Sequence, residues 1–307
     1  MVQKLIGAKA SDIRKMTKDE LFTSIQESDG RVVLSESTAA KPSVIENITG
    51  AELSKAFGAD MILLNDFDVN YPEVAAAYEE KSNLKKTELS RNVINHLKDL
   101  IGIPIGMSIE AIVENSLIKE EITYISTGKK ASVETFLEAQ KIGLDFIVLT
   151  GNPESGVTNN AIEKSISIAK DHFDGIIIAG KMHRSGVNEP IVNLKVAKKF
   201  IDAGADIILV PAVGSYYGIR EESIREIVEY VHSKGKLVMS AIGTSQESSQ
   251  PDVIRNIAIR NKILGVDIQH IGDSNMGLVG IENIKELSEA IRGKTYTIAR
   301  MARSINR

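Results

Sequence analysis

The sequence predicts an α/β fold of the (β/α)8 type, a TIM barrel with an N-terminal helical leader, and three observations carry that expectation. The first is a recurring signature of Gly, any residue, Asp and an apolar run, at Gly58 and Asp60, Gly143 and Asp145, Gly204 and Asp206, and Gly265 and Asp267. Glycine closes a helix in the left-handed conformation and Asp turns the chain. The apolar run lacks the alternation of a half-exposed strand, so each copy reads as a helix end followed by a strand covered on both faces, as in a parallel sheet. The second observation is that eight strand-like runs alternate with helical stretches. The third is length: 307 residues suit one barrel with additions, and a single domain over 1–307 is expected.

The elements follow in order. Residues 1–30 form the leader, where Thr17 and Glu20 make a capping box that opens a short helix with Leu21, Ile25 and Phe22 facing inward, closing the barrel bottom. Strands are expected at 31–37, 61–66, 104–110, 146–151, 175–182, 207–213, 236–244 and 266–272. Helices are expected at 42–57, 91–100, 132–142 with Ser132 as N-cap, 159–172, 191–203, 221–233, 252–264 and 281–292. Residues 122–130 read as a small hairpin turning at Thr127 and Gly128. The tail 293–307 is basic, with Arg300, Arg303 and Arg307, and reads either as a solvated face or as a contact in a homo-oligomer. The connections after the second and third strands, 67–90 and 111–131, are far longer than the usual two to six residues of a βα turn, and are expected to form a lid or an arm toward a neighbouring subunit.

Composition narrows the function classes. A hydrophobic content of 43% supplies a core, and with no Trp and only 5% aromatic residues that core must be aliphatic. A net charge of −4 argues against a nucleic-acid partner. The absence of cysteine excludes disulfides, zinc–thiolate sites and a thiol nucleophile. No apolar run reaches membrane-spanning length and no signal peptide is visible, so a cytoplasmic location without a membrane partner is expected.

In a barrel, the chemistry lies at the C-terminal ends of the strands. The polar residues there are Ser35, Glu36, Asn65, Asp66, Ser108, Glu110, Thr150, Asn152, Lys181, His183, Ser215, Ser240, Thr244, Ser245, His270 and Asp273. Asp66, Glu110, Lys181 and His183 are the candidate catalytic groups. Asp66 and Glu110, with His183 near them, present hard donors suited to Mg2+, and the alternative is that they hydrogen-bond loop amides. Lys181 ends the apolar run IIIAG and is expected at the mouth, where it either binds substrate charge, forms a Schiff base, or pairs with Glu36 or Asp66. Arg184 adds positive charge beside it. After the last two strands, Gly243, Thr244 and Ser245, and Gly272, Ser274 and Asn275, offer amides and hydroxyls for a phosphate; Asp273 opposes that reading unless it turns away to cap a helix. His270 lies within the last strand and reads equally as a buried, satisfied residue.

Residues 46–66, ENITGAELSKAFGADMILLND, resemble the opening of the phosphoenolpyruvate mutase and isocitrate lyase group, and the chain as a whole resembles the phosphate-binding (β/α)8 barrels, as an uncharacterised bacterial family among them. The resemblance implies carboxylates at strand ends holding Mg2+ and an α-oxo acid, with Asp66 and Glu110 at the corresponding places. The chain departs from that group in lacking the cysteine loop of its lyases. The expected function is that of a lyase or isomerase acting on a small anionic, phosphorylated or α-oxo acid metabolite. Lys181, His183 and Arg184 would neutralise substrate charge, and Asp66 or Glu110 would act as base or Mg2+ ligand. The alternatives are a metal-assisted hydrolase of the phosphatase kind and a non-catalytic barrel that senses a metabolite.

Overall fold

The computed structural model describes residues 3–78, 91–112, 125–273 and 280–307. Eight parallel strands close into a barrel in sequential order: β1 (Val32–Thr38), β2 (Met61–Asn65), β3 (Ile105–Glu110), β4 (Phe146–Thr150), β5 (Ile176–Gly180), β6 (Ile207–Pro211), β7 (Leu237–Ile242) and β8 (Ile268–Ile271). Around them run α1 (Lys18–Gln26), α2 (Gly50–Ala56), α3 (Val93–Ile101), α4 (Val133–Lys141), α5 (Asn159–His172), α6 (Leu194–Ala203), α7 (Glu221–Ser233), α8 (Pro251–Ile263) and α9 (Glu282–Ala302). No helix among the described residues is long and apolar enough to cross a membrane.

The Gly-x-Asp signature has a geometric cause. All four glycines take positive φ, from 85° to 118°, as a helix-closing residue must. Each aspartate then pins an even-numbered strand to the odd-numbered strand before it. Asp60, Asp145, Asp206 and Asp267 accept, through Oδ2, the backbone N–H of Val33, Ile105, Ile177 and Val238 at 2.8–3.0 Å. The N–H of each aspartate returns a bond to the carbonyl of the same residue, at 2.8–2.9 Å. Every one also meets a basic side chain: Asp60 meets Arg292 and Arg300, Asp145 meets Lys98, Asp206 meets Lys18 and Lys236, and Asp267 meets His232. Aspartate was expected as a turn former; here it is the acceptor that satisfies the first free amide of a neighbouring strand, four times around the bottom of the barrel.

Interior and exterior positions alternate along each strand. Ser35 bonds Ser54 on α2 and Gln269 bonds the Ala258 carbonyl on α8, so these face the helices. Their neighbours Glu36 and His270 meet each other inside the barrel. Pairing register carries this phase around the sheet, placing Leu34, Met61, Phe146, Ile178, Leu209, Met239 and Ile268 in the lower interior. That interior is aliphatic apart from Phe146, whose ring occupies the space left by the missing side chain of Gly106 on the adjacent strand.

Element ends shift by up to three residues from expectation, and three differences are larger. The helix expected from residue 42 begins at Gly50, because Thr49 and Glu52 form a reciprocal capping box that sets its start. The expected hairpin over 122–130 is, in its described part, a 3-10 turn at Thr127–Lys129, after which Lys130 bridges β3 in parallel at Glu110. The basic tail belongs to α9, which kinks at Gly293 and continues to Ala302. Arg300 is only 2% exposed. It donates to Asp60 and to the Leu5 carbonyl, while Arg303 donates to the carbonyls of Gly7 and Ala8. Arg307 is exposed, but the part around Arg300 and Arg303 is not a solvated face. It ties the leader, whose Leu5, Ile6, Leu21 and Ile25 are buried while Phe22 stays half-exposed, to the bottom of the barrel.

Candidate active site

The last inward layer of the barrel is polar on one side and nearly empty on the other. Strands β1 to β4 contribute Glu36, Asn65, Ser108, Glu110 and Thr150, whereas β5 to β7 contribute Gly180, Pro211 and Ala241. The small residues leave room above them. A cleft opens there in two lobes of about 230 Å3 each, which share Ser108, Asn152 and Pro153. Each is below the usual size of a pocket for a drug-sized ligand, so the cleft suits a small metabolite. The first lobe carries Asp66, Phe67, Glu110 and Lys129. The second carries Glu36, Thr150, His183, Glu247 and Asp273, with Gly243, Thr244, Ser245 and Gly272 along its rim.

One hydrogen-bonded chain crosses the ends of five successive strands. His270 Nε2 lies 3.0 Å from Glu36 Oε2, joining residues 234 positions apart. Asn65 Nδ2 donates to Glu36 Oε1 at 3.0 Å, and Ser108 Oγ donates to Asn65 Oδ1 at 2.8 Å. Asn152, just beyond β4, donates its side-chain amide to Asn65 Oδ1 at 3.3 Å and also to Glu110. Its backbone N–H reaches both oxygens of Glu110 at 3.1 Å. Backbone strain gathers at the same rim: Asp66, Thr244, Ser245 and Asp273 take φ of 56°, 59°, 71° and 47°, a region non-glycine residues avoid unless their surroundings impose it.

The charges set the chemistry. Burial pushes the Asp273 carboxyl up from the usual carboxylate range and the charge of Glu36 adds to it, while His270 and Lys41 oppose. Burial likewise raises Glu247, with Asp273 and Glu36 contributing. Glu110 is raised by burial against the bonds it receives from Asn152. His183 is pushed below the ordinary histidine value, first by burial and then by the charge of Lys181, so its imidazole is neutral near pH 7. Its Nδ1 accepts the Ser185 N–H at 3.1 Å, which leaves the ring proton on Nε2.

Of the expected site residues, Asp66, Glu110, His183, Gly243, Thr244, Ser245 and Gly272 line the cleft. Ser274 and Asn275, and the parts 79–90 and 113–124 of the two connections expected to form a lid or an arm, lie outside the described residues. Lys181 is not at the mouth. The inward phase of β5 ends at Gly180, so Lys181 falls on the outward side, fully buried, donating to Glu189 and to the Val157 carbonyl at 3.3 Å. Arg184 is exposed and does not line either lobe. The expected anion site after β7 and β8 is acidic: Asp273 turns into the cleft beside Glu36 and Glu247, and the Thr244 hydroxyl is spent on the carbonyls of Ser215 and Gly243.

Asp66 and Glu110 are engaged by protein donors in this structure. Asp66 is paired with Lys129 and Glu110 spends its oxygens on Asn152. No group of three or more His, Asp or Glu side chains among the described residues converges closely enough to share an ion. Glu247 was missed by sequence reasoning, since a glutamate in a serine-rich loop carries no periodic signal. The bridging role of Asn65 and Asn152 depends on register, and only their positions at strand ends hinted at it.

The family model described as Domain of unknown function (DUF7916) matches residues 6–307. No curated protein matches the sequence. Among solved structures, 2,3-dimethylmalate lyase, a PEP mutase/isocitrate lyase superfamily member, superposes with a TM-score of 0.50 at 13% identity, covering 86% of this chain and 81% of that one. The carboxyl transferase domain of Rhizobium etli pyruvate carboxylase gives 0.51 at 10% identity, over 94% of this chain and 51% of that one. Phosphonopyruvate hydrolase, in a complex with oxalate and Mg2+, gives 0.49 at 15% identity over 84% and 81%. At such identities the likeness is one of fold, and at that level the resemblance read from residues 46–66 is borne out.

Proposed function

The chain belongs to the family described as Domain of unknown function (DUF7916), and we propose that it is an enzyme of the lyase or isomerase type that moves a proton on a small polar metabolite in the barrel mouth. The observation that carries this reading is the hydrogen-bonded chain from His270 through Glu36, Asn65 and Asn152 to Glu110, built along the wall of a cleft. A buried polar chain of this length holds its members in one orientation, which is what general acid–base catalysis requires.

Glu36 is the proposed base, oriented by Asn65 and His270 and facing the second lobe. It takes a proton from a substrate carbon, and the electron pair released moves onto the adjoining oxygen. His183 Nε2–H donates a hydrogen bond to that oxygen. Asp273, raised by burial and by its neighbour, is the proposed acid and returns a proton to the leaving oxygen or to the neighbouring carbon. Lys129, exchanging Asp66 for a substrate carboxylate or phosphate, holds the anionic end in the first lobe. No step is routed through Mg2+, because Asp66 and Glu110 are otherwise engaged. A lyase on the same fold, 2,3-dimethylmalate lyase, is consistent with the reaction class.

The test is hydrogen exchange in deuterated water with a panel of small 2-oxo, 2-hydroxy and 2-amino acids, followed by proton NMR. Protein-dependent loss of a carbon-bound proton is expected for at least one of them. Glu36→Gln should slow it by about 100-fold or more, the scale of a lost general base, with the circular dichroism spectrum unchanged. Exchange that survives both Glu36→Gln and Asp273→Asn would place the chemistry elsewhere.

A further inference from the structure

We infer that the second lobe receives a primary ammonium group of the ligand, between Glu36, Glu247, Asp273 and Thr150. This rests on the same cleft as the proposed function and names the chemistry of the substrate end opposite Lys129.

Three acids share this lobe, and among the described residues no lysine or arginine lines it, the lysine acting on Asp273 being Lys41. Two of its side chains are more than nine-tenths buried and hold acceptor atoms without a hydrogen-bond partner among the described residues. Glu247, 5% exposed, leaves Oε2 unmatched, and Thr150, also 5% exposed, leaves Oγ1 unmatched. A buried unmatched acceptor is costly unless a ligand supplies the donor. An ammonium brings three donors and one positive charge. It satisfies Glu247 and Thr150 and offsets the repulsion from neighbouring acids that adds to burial in pushing Asp273 and Glu247 up. A neutral hydroxyl brings one donor and no charge. A phosphate brings negative charge into a lobe whose acids already repel one another. No set of three His, Asp or Glu side chains among the described residues stands close enough to share a divalent cation.

The first lobe is mixed in charge, Lys129 standing beside Asp66 and Glu110, whereas the charged side chains lining the second are acids among the described residues, with Ser108, Asn152 and Pro153 between the two. The ligand this suits carries an anionic group at one end and an amine at the other.

Calorimetric titration with ethanolamine tests the idea, with ethylene glycol, glycolate, inorganic phosphate and MgCl2 as comparisons. Ethanolamine should bind in the millimolar range and raise the melting temperature, and the four comparisons should not at equal concentration. Glu247→Gln should weaken ethanolamine about tenfold or more, the equivalent of one charge-assisted hydrogen bond. Asp273→Asn is a second variant should the first fail to fold. Glycolate, phosphate or MgCl2 binding as well as ethanolamine would overturn the inference, as would ethylene glycol matching it, absence of ethanolamine binding, or unchanged affinity in both variants. Amine binding without proton exchange would leave this inference standing and remove the enzymatic reading. Exchange on anionic acids without amine binding would do the reverse.

Discussion

Lys181 shows how a single residue can be read correctly for its chemistry and wrongly for its place. An amine at the end of an apolar strand was visible in the sequence; which way it pointed depended on whether the inward phase of β5 stopped at residue 180 or 181. With the ammonium buried against Glu189 and the Val157 carbonyl, Lys181 fastens the loop after β5 to the loop before α5. Glu189 also accepts the Asn159 N–H at 2.7 Å, so the same carboxylate caps that helix. Lys181→Met should cost about 1.5–3 kcal/mol, the value of a hydrogen bond to a charged group, read as a lower urea midpoint at constant slope. A loss of activity with no change in midpoint would instead return Lys181 to the chemistry. His232 offers a check with a sign. Its hydrogen bond to Asp267 raises its pKa in the folded state. The stabilisation is then complete below the unfolded value of about 6.5 and is lost as pH rises through the higher folded value. Unfolding free energy should fall over that interval in the wild type and run flatter in His232→Gln. Equal pH profiles would show that this pair contributes nothing.

At the scale of elements, helices and strands were legible where local chemistry decides them. The spans of α5 and α7 follow the sequence pattern, and Ser132 caps α4 as its position suggested, accepting the Thr135 N–H at 3.1 Å. Ser132→Ala should cost about 1 kcal/mol, measured by thermal unfolding. What could not be read was contact across strands. Gly106 looked like any glycine in a strand, yet a Cβ there would enter the ring and the carbonyl oxygen of Phe146. Both belong to the aliphatic floor beneath the cleft and have no freedom to withdraw. Gly106→Ala should therefore cost about 3 kcal/mol, the upper part of the overpacking range. If the variant melts within a degree of wild type, the floor is looser than its packing implies. The cleft was partly legible for the same reason. Strand ends named Glu36, Asn65, Glu110, Asn152 and His183, but the polarity of the second lobe emerged only when Glu247, from a loop, joined Glu36 and Asp273.

For the whole molecule, the Gly-x-Asp signature was the most informative feature of the sequence, because it marks a long-range bond that recurs at every second strand. Its first copy is the most heavily engaged. Asp60 is fully buried and meets two arginines from α9, 232 and 240 residues further along the chain. Asp60→Asn should cost about 3–5 kcal/mol, since two guanidiniums would lose their buried counter-charge; a loss under about 1 kcal/mol would mean that the bonds to carbonyls suffice for them. The same arrangement bears on how the protein is made. At a synthesis rate of about 5–20 residues per second, Asp60 is added to the chain roughly 12–50 seconds before Arg300. For that interval β1 and β2 can pair, but the carboxylate at their base has no counter-charge and must stay hydrated. The nascent chain is thereby held open at its first strand pair until its last helix arrives, and a ribosome that stalls short of residue 292 carries a barrel that cannot seal.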